Sequence, residues 1–449
     1  MALPLFADLY QFTMLHAYWA LGMSEPATFS LFVRKLPPGR NYLVACGLAD
    51  ALAEVEKMRF SPEDVEHLRS LGLFPPKFLE YLARLRFTGH IDAIPEGELV
   101  FENEPILEVT APIGQAQIVE TFLMNQIGLQ TLLSSKAARI VKAAAGRPVV
   151  DFGSRRAQGL DAALKGARAF AIAGVSATSN VLAGQIYGLP VTGTVAHSFI
   201  AAFDSEGEAF QRFAHLYPTT ILLVDTYDTL HALEKIVRLI ESGRLPRTLR
   251  GIRLDSGDLD YLSRAARIML DQAGLANIQI FVSGGLDETK IDALVAAKCP
   301  IDAFGVGTAM SVSSDAPDLD FAYKLTEYGG KGRMKLAAGK HSLPCRKQVY
   351  RQHRHGVYTR DIIALHDELV VGEPLLQPAM QDGRMLEAVN RAVGSIRTRA
   401  KDRMARFPEA VLGLAPLRPP YCVEISPALR ARERSLREAL VRTGGELRS

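Results

Sequence analysis

The spacing of apolar positions divides the chain into stretches of different rhythm. From Asp8 to Gly22 the inward positions Phe12, Leu15, His16 and Trp19 recur at helical spacing, with Asp8 placed to cap and Gly22 to stop the helix. From Ala27 to Lys35 the period drops to two. Phe29, Leu31 and Val33 alternate with Ser30 and Arg34, which predicts a strand. Asp50–Leu85 is helical again, interrupted by Gly72 and Pro75-Pro76. Between Gly89 and Pro112 short β patterns are broken by Pro95-Glu96-Gly97 and Asn103-Glu104-Pro105, the punctuation of antiparallel strands. Gln115–Ala145 is almost free of breakers and strongly helical.

From Pro148 a regular alternation begins. Strand Val149–Asp151 leads to helix Ala157–Ala173, and Val175–Leu182 is a second strand candidate. Strand Val191–Ala196 precedes a helix with Ser205 and Glu208 in capping-box spacing. Strand Ile221–Val224 precedes a helix capped by Asp228 and closed by Gly243. Gly251–Leu254 leads to helix Asp258–Ala273, Ile278–Val282 to helix Leu286–Ala297, and Ala303–Val306 is the last strand. Repeated βα units of this length predict a parallel sheet, and about seven predict a barrel, with an open doubly wound sheet as the alternative. Past Ala322 strands and turns resume, as if the chain returned to its N-terminal domain. The Arg-rich stretch from Pro427 reads as a solvated amphipathic helix.

Composition narrows the function classes. A net charge of +3 over 449 residues predicts no nucleic-acid binder, though a locally basic phosphate cleft is compatible with it. Cys46, Cys299, Cys345 and Cys422 have no metal-ligand spacing and read as reduced thiols of a cytoplasmic protein. The N-terminus has no signal-peptide pattern, and no apolar run approaches the roughly 20 residues of a membrane span.

The chemistry-bearing residues are phased to the strand ends. Asp151, Gly153, Ser154, Arg155 and Arg156 follow the first strand; Ser179 and Asn180 lie in the second; His197 and Ser198 follow the third. Asp225, Thr226 and Asp228 follow the fourth; Arg253 ends the fifth, before Asp255, Ser256 and Asp258. Ser283-Gly284-Gly285 and Gly305-Val306-Gly307-Thr308 close the series. In a barrel these loops share the face where active sites form. The Gly-rich turns present unobstructed N–H groups near helix starts, which suits a phosphate. Asp255 and Asp258 suit a ribose diol or Mg²⁺, although Asp258 equally suits a helix cap. Arg155 and Arg253 suit a carboxylate or phosphate, or internal ion pairs. Lys331, Arg333, Lys335 and Lys340 form a basic, Gly-rich stretch that reads as a solvated loop. Neither GxxxxGK[ST] nor GxGxxG occurs. The residues alone thus point to a barrel enzyme for a phosphorylated, sugar-containing anionic substrate.

At these residues the chain resembles the nicotinate phosphoribosyltransferases. The resemblance rests on ADLYQFTM (Ala7–Met14), DFGSRRAQG (Asp151–Gly159), ATSNVLAG (Ala177–Gly184), GTVAHSF (Gly193–Phe199), LVDTYDT (Leu223–Thr229), IRLDSGDL (Ile252–Leu259), SGGLDE (Ser283–Glu288) and FGVGT (Phe304–Thr308), then YKLTE and GKHSLPCRKQVYR, ending near Arg351. It implies an α/β fold: an irregular (β/α) barrel of the type II phosphoribosyltransferase kind, beside an α+β domain built from the N- and C-terminal segments. The division expected is 1–130, 131–340 for the barrel, and 341–449 completing the first domain. The implied activity is ligase or glycosyltransferase chemistry of NAD biosynthesis: nicotinate and 5-phosphoribosyl 1-diphosphate give nicotinate mononucleotide and diphosphate, with Mg²⁺ and coupled ATP hydrolysis. The resemblance makes His197 the phosphohistidine. Tyr10, from the partner subunit of a homodimer with shared sites, joins Arg155, Thr194 and Arg253 around nicotinate. Asp255 holds the ribose hydroxyls, and Ser283, Gly284, Gly285, Gly307 and Thr308 the phosphate. No metal ligands are implied by residue.

Two positions depart from the family pattern. Ala7 stands where Thr is expected, and Cys345 where Gly is expected. The nearest rival, a nicotinamide phosphoribosyltransferase, carries an acid where Ser179 stands; such an acid would repel a carboxylate substrate. A quinolinate enzyme is expected to be shorter and to lack the Tyr10 segment. A non-catalytic nucleotide-binding barrel has no need of Arg155, His197, Arg253 and Asp255 together.

Overall fold

The strand predicted around Phe29 forms over Pro26–Val33, but both its faces are buried rather than one. The reason is its neighbours. It pairs antiparallel with Pro105–Pro112 on one edge and with Phe321–Tyr328 on the other. Its polar residues are satisfied inside: Ser30 Oγ donates to Glu108 Oε1 at 2.8 Å, and Lys347 Nζ meets the same carboxylate oxygen at 3.0 Å. Burying a paired and hydrogen-bonded charge avoids the several kcal/mol that an isolated one would cost.

The computed structural model describes residues 3–336 and 342–446. Two compact units emerge, one of Met1–Leu132 with Asp318–Ser449 and one of Leu133–Pro317, and the division falls inside helix Glu120–Ala143. The first unit holds a seven-stranded antiparallel sheet with Pro26–Val33 and Pro105–Pro112 at its middle. A four-stranded sheet of C-terminal segments is built on Lys347–Arg354 and Val357–Leu365. Phe321–Tyr328, which the domain reading counted with the barrel, belongs to this first unit because it ladders onto Pro26–Val33. One apolar core runs through the unit, from Phe12 and Leu15 of helix Leu9–Ala20 to Leu429 of the C-terminal helix. Lys331 and Gly332 form a short edge strand, and Arg333 lies over the Tyr328 ring at 5.9 Å. Lys340 lies outside the described residues.

Cys345 has φ +66°, a left-handed conformation that explains why glycine is expected there. Its thiol is buried. Replacing Cys345 with glycine relieves about 1–2 kcal/mol of strain but loses thiol burial and adds chain entropy of similar size. The thermal midpoint is therefore expected to move by no more than about 3 °C, read by scanning calorimetry.

The second unit carries the parallel sheet. Its strands are β1 (Val149–Asp151), β2 (Ala177–Thr178), β3 (Ile221–Leu223), β4 (Gly251–Leu254), β5 (Gln279–Val282) and β6 (Ala303–Val306). The order is β2-β1-β6-β5-β4-β3, all parallel. Six strands form rather than seven, so the barrel is irregular. Val191–Ala196, expected as a strand, makes only a bridge from Val191 to Thr178 and otherwise runs without regular structure. Val181–Leu182, expected as the end of a strand, begins helix Val181–Tyr187 instead, because Asn180 caps it by accepting the Ala183 N–H at 3.0 Å. Ser205 sits at a helix N-cap but makes no side-chain cap bond. Asp228 and Asp258 do cap, accepting the N–H groups of His231 and Tyr261. Among the described residues no helix is long and apolar enough to cross a membrane.

Candidate active site

Strands β3 to β6 end in apolar residues sealed in the sheet, and polar or glycine residues follow within two positions. Leu223 and Leu254 are fully buried; Asp225 and Asp255 follow at the carboxyl ends of β3 and β4. This phasing lets a rigid scaffold aim loop side chains at one face. Asp151, at the end of β1, faces inward. Its two oxygens accept the Gly153 N–H at 2.8 Å and the Thr178 hydroxyl at 2.7 Å. Burial raises its pKa, opposed by those two bonds. Asp151 therefore shapes the turn rather than meeting a ligand. The turn is tight: a Cβ on Gly153 would lie 1.6 Å from Ser311 Oγ and 3.0 Å from Gly307 O. Glycine there lets the loops after β1 and β6 touch.

Asp255 is the hub. Its Oδ1 accepts the Ser283 hydroxyl from the end of β5. Its own N–H donates to Asp225 Oδ2 at 3.0 Å, and Ser256 Oγ donates to the same oxygen at 2.5 Å. Its Oδ2 stands 3.8 Å from His197 Nε2, and its Oδ1 stands 3.7 Å from Arg253 Nη2. The carbonyl of Asp255 presses on Gly284, where a Cβ would lie 1.6 Å away and where φ is +89°. Gly285 is also left-handed, at φ +60°. Only glycine fits Gly284 without moving the Asp255 backbone. The variant Gly284→Ala is expected to raise the KM for a phosphorylated substrate by about tenfold or more, read in steady-state kinetics.

His197 begins the short helix His197–Ala201, and its Nδ1 lies 3.1 Å from the Thr226 hydroxyl. With Thr226 accepting from Nδ1–H, Nε2 keeps its lone pair and faces Asp255 and solvent. The side chain is 46% exposed, enough for a ligand to reach Nε2.

Arg253 lies on β4 itself. Its Nη1 donates to Thr194 Oγ1, and its guanidinium lies 5.7 Å from the centre of the Phe152 ring. Burial depresses its pKa; Asp255 and Asp225 oppose that effect, and the positive charge of Arg155 adds to it. The positive charge of Arg155 acting on Arg253 suits an anion at this place. Among the described residues of this unit, the buried side-chain atoms without a hydrogen-bond partner are Ser154 Oγ, Glu206 Oε2, Asp225 Oδ1 and Arg253 Nε. Three of the four stand at the carboxyl ends of β1, β3 and β4. Each orphan costs about 1–3 kcal/mol unless a ligand satisfies it.

The structure thus brings together Arg155, Thr194, His197, Arg253, Asp255, Ser283 and Gly284. Gly307 and Thr308 open the short helix after β6, and Gly307 is tied to the Gly153 turn rather than to Asp255. Asp258 is occupied as a cap, and the Ser179 N–H donates to Asp151 O at 2.9 Å. Tyr10 belongs to the first unit; burial, the Glu120 charge and a hydrogen bond to Glu120 raise its hydroxyl pKa. Sequence reasoning assigned no role to Thr226, which orients His197, or to Asp225, which holds the Asp255 backbone. Their position just after β3 was the available signal.

The model described as the nicotinate phosphoribosyltransferase (NAPRTase) N-terminal domain matches residues 5–128, and the nicotinate phosphoribosyltransferase (NAPRTase) family model matches residues 148–360. The chain is 51% identical over 435 residues to the nicotinate phosphoribosyltransferase pncB2 of Mycobacterium tuberculosis, covering 97% of this chain and 94% of that protein. It is 42% identical over 383 residues to the nicotinate phosphoribosyltransferase of Bacillus subtilis, covering 82% and 77%. Its fold matches the crystal structure of human nicotinic acid phosphoribosyltransferase with a TM-score of 0.83 and 27% identity, over 96% of this chain and 99% of that one. The nicotinate-nucleotide pyrophosphorylase of Pyrococcus furiosus shares the fold at a TM-score of 0.72 and 24% identity, over 90% and 96%.

Proposed function

The chain belongs to the nicotinate phosphoribosyltransferase family, and from that premise we propose how its second unit performs the reaction. Nicotinate and 5-phosphoribosyl 1-diphosphate combine to nicotinate mononucleotide and diphosphate, in NAD biosynthesis. The observation that carries this reading is the cluster in which Asp255 stands 3.7 Å from Arg253 and 3.8 Å from His197, with Arg253 held by Thr194.

Arg253 and Arg155 take the nicotinate carboxylate, and Thr194 fixes the rotamer of Arg253. The pyridine nitrogen is already nucleophilic, so no general base is required. It attacks the ribose anomeric carbon as the bond to diphosphate breaks, through an oxocarbenium-like transition state. Asp255, steadied by Ser283 and the Asp225 brace, holds the ribose hydroxyls and places negative charge near the developing cation. The Gly284-Gly285 turn, with Gly307 and Thr308, receives the 5-phosphate on backbone N–H groups. Among the described residues no cluster of three or more acidic, His or Cys groups suits a metal ion. Asp225 Oδ1, buried without a donor, fits a single protein contact to Mg²⁺ carried in on the diphosphate. When bound, Mg²⁺ supplies charge neutralisation for the leaving group.

ATP coupling runs through His197. Nε2 attacks the γ-phosphorus, ADP leaves, and the phosphoryl group remains on Nε2. Its negative charge then stands next to Asp255, 3.8 Å away in the unmodified enzyme, and bears on the group that holds ribose. Incubation with ATP followed by peptide mass analysis is expected to find one labile phosphoryl group on the peptide containing His197; an unmodified peptide under turnover conditions removes this coupling.

Substrate choice rests on Ser179. Ser179→Asp is expected to weaken nicotinate by about tenfold to a hundredfold and to spare nicotinamide, because a second carboxylate repels only the acid. The ratio of kcat/KM for the two substrates measures this. The enzyme is a homodimer in this reading, with Tyr10 supplied by the partner. Exposed Leu160, Val181 and Ile186 on the second unit favour a covered face. Free cysteines suit a cytoplasmic location.

A further inference from the structure

The first unit contains a cavity of about 430 Å³ that the reaction does not use. It lies between the paired strand ends at Ala93–Glu96 and Gln377–Ala379, the loop through Leu386–Arg391, and helix Val393–Met404. Leu48, Leu386, Val389 and Ile396 give it apolar walls. Its charged lining is Arg391, Arg399 and Glu96. Glu96 is buried, and its Oε1 accepts the Gly47 N–H at 2.6 Å, which turns one of its oxygens to the backbone.

The arginines are differently placed. Arg399 Nη2 donates to the Glu96 carbonyl, while its Nε is buried with no partner. Arg391 spends its Nε on the Ala388 carbonyl. Burial opposes the charge of Arg399, and Arg391 and Arg403 add to that effect; Glu98 and Glu96 offset part of it. The first turn of helix Val393–Met404 carries no acidic residue, so its N-terminal partial charge adds to the two cations. Both guanidinium groups line the cavity, where an entering carboxylate can pair with them. The volume and the apolar walls are those of a small-molecule site.

We propose that this cavity binds a small amphipathic monocarboxylate, its carboxylate on Arg399 and Arg391 and its apolar body against Leu48, Leu386, Val389 and Ile396. A diphosphate or a sugar phosphate has no apolar body to fill such walls. A neutral apolar molecule leaves Arg399 Nε unsatisfied.

Calorimetric titration of the full-length protein with sodium octanoate tests this, with nicotinate present at saturation to occupy the barrel site. One octanoate per chain is expected, with Kd on the order of 10⁻⁴ M. Arg399→Gln and Arg391→Gln should each weaken it by about tenfold or more, octan-1-ol should bind about tenfold more weakly, and Ala388→Phe at the rim should abolish binding. Arg391 and Ala388 are exposed, so their variants decide the matter even if Arg399→Gln does not fold. No saturable binding, equal affinity in the Arg391 and Ala388 variants, or competition by nicotinate would overturn the proposal.

Discussion

With His197 replaced by alanine, ATP hydrolysis is expected to stop while slow, ATP-independent formation of nicotinate mononucleotide persists. His197 and the substrate-binding groups have separable roles. In the proposed coupling His197 Nε2 is the nucleophile toward ATP, and the His197 side chain is 46% exposed. Thr226, whose hydroxyl lies 3.1 Å from Nδ1, has no nucleophilic nitrogen of its own. The groups proposed to bind nicotinate and ribose, Arg253 and Asp255, have partners other than the imidazole in Thr194, Ser283 and Asp225. The chemical step therefore survives, and what disappears is the gain from placing phosphoryl charge beside Asp255. Coupled ATPase and product assays on one preparation check it. Unchanged ATP hydrolysis would take His197 out of this role.

The second large effect falls on Arg253. Arg253→Ala should lower kcat/KM for nicotinate by roughly a hundredfold to a thousandfold, because truncating one member of a buried charge pair costs about 3–4 kcal/mol. Two losses combine. The substrate carboxylate loses a guanidinium, and Asp255 loses the cation 3.7 Å from its Oδ1. Arg253→Lys separates them. Lysine restores the charge near Asp255 but cannot reproduce a bidentate fork, so it should recover part of kcat and little of the nicotinate KM. Nicotinamide, which lacks the carboxylate, should be affected less in KM by either variant. Equal losses for both substrates would mean that Arg253 acts only on Asp255.

Much of this site was legible because short parallel strands have a simple signature. An apolar run is sealed in the sheet, and the next residues are polar; Leu254 followed by Asp255, and Val282 followed by Ser283, read directly. The signature failed at Val191–Ala196. The alternation there is genuine, yet a strand also needs partners along its length, and only Val191 finds one. Thr194 still reaches Arg253 from this irregular stretch. Spacing likewise suggested a capping box at Ser205, but Glu206 in the same turn is buried on Lys235, a contact between helices that local pattern does not record. Ser30 was assigned correctly to a strand but not to a buried face, because its surroundings include Lys347, more than three hundred residues later. The Asp225 brace and the Thr226 contact were hidden for the same reason: each links loops that only the folded sheet brings together.

Nicotinate as the acceptor is the central proposal for this enzyme, and product formation tests it most directly. Purified protein is incubated with 5-phosphoribosyl 1-diphosphate and Mg²⁺, with nicotinate, nicotinamide or quinolinate, with and without ATP, and the mononucleotide is followed by mass. Nicotinate mononucleotide should form from nicotinate, faster with ATP, with little product from the other two. No product from nicotinate, or preferential use of nicotinamide or quinolinate, would contradict it.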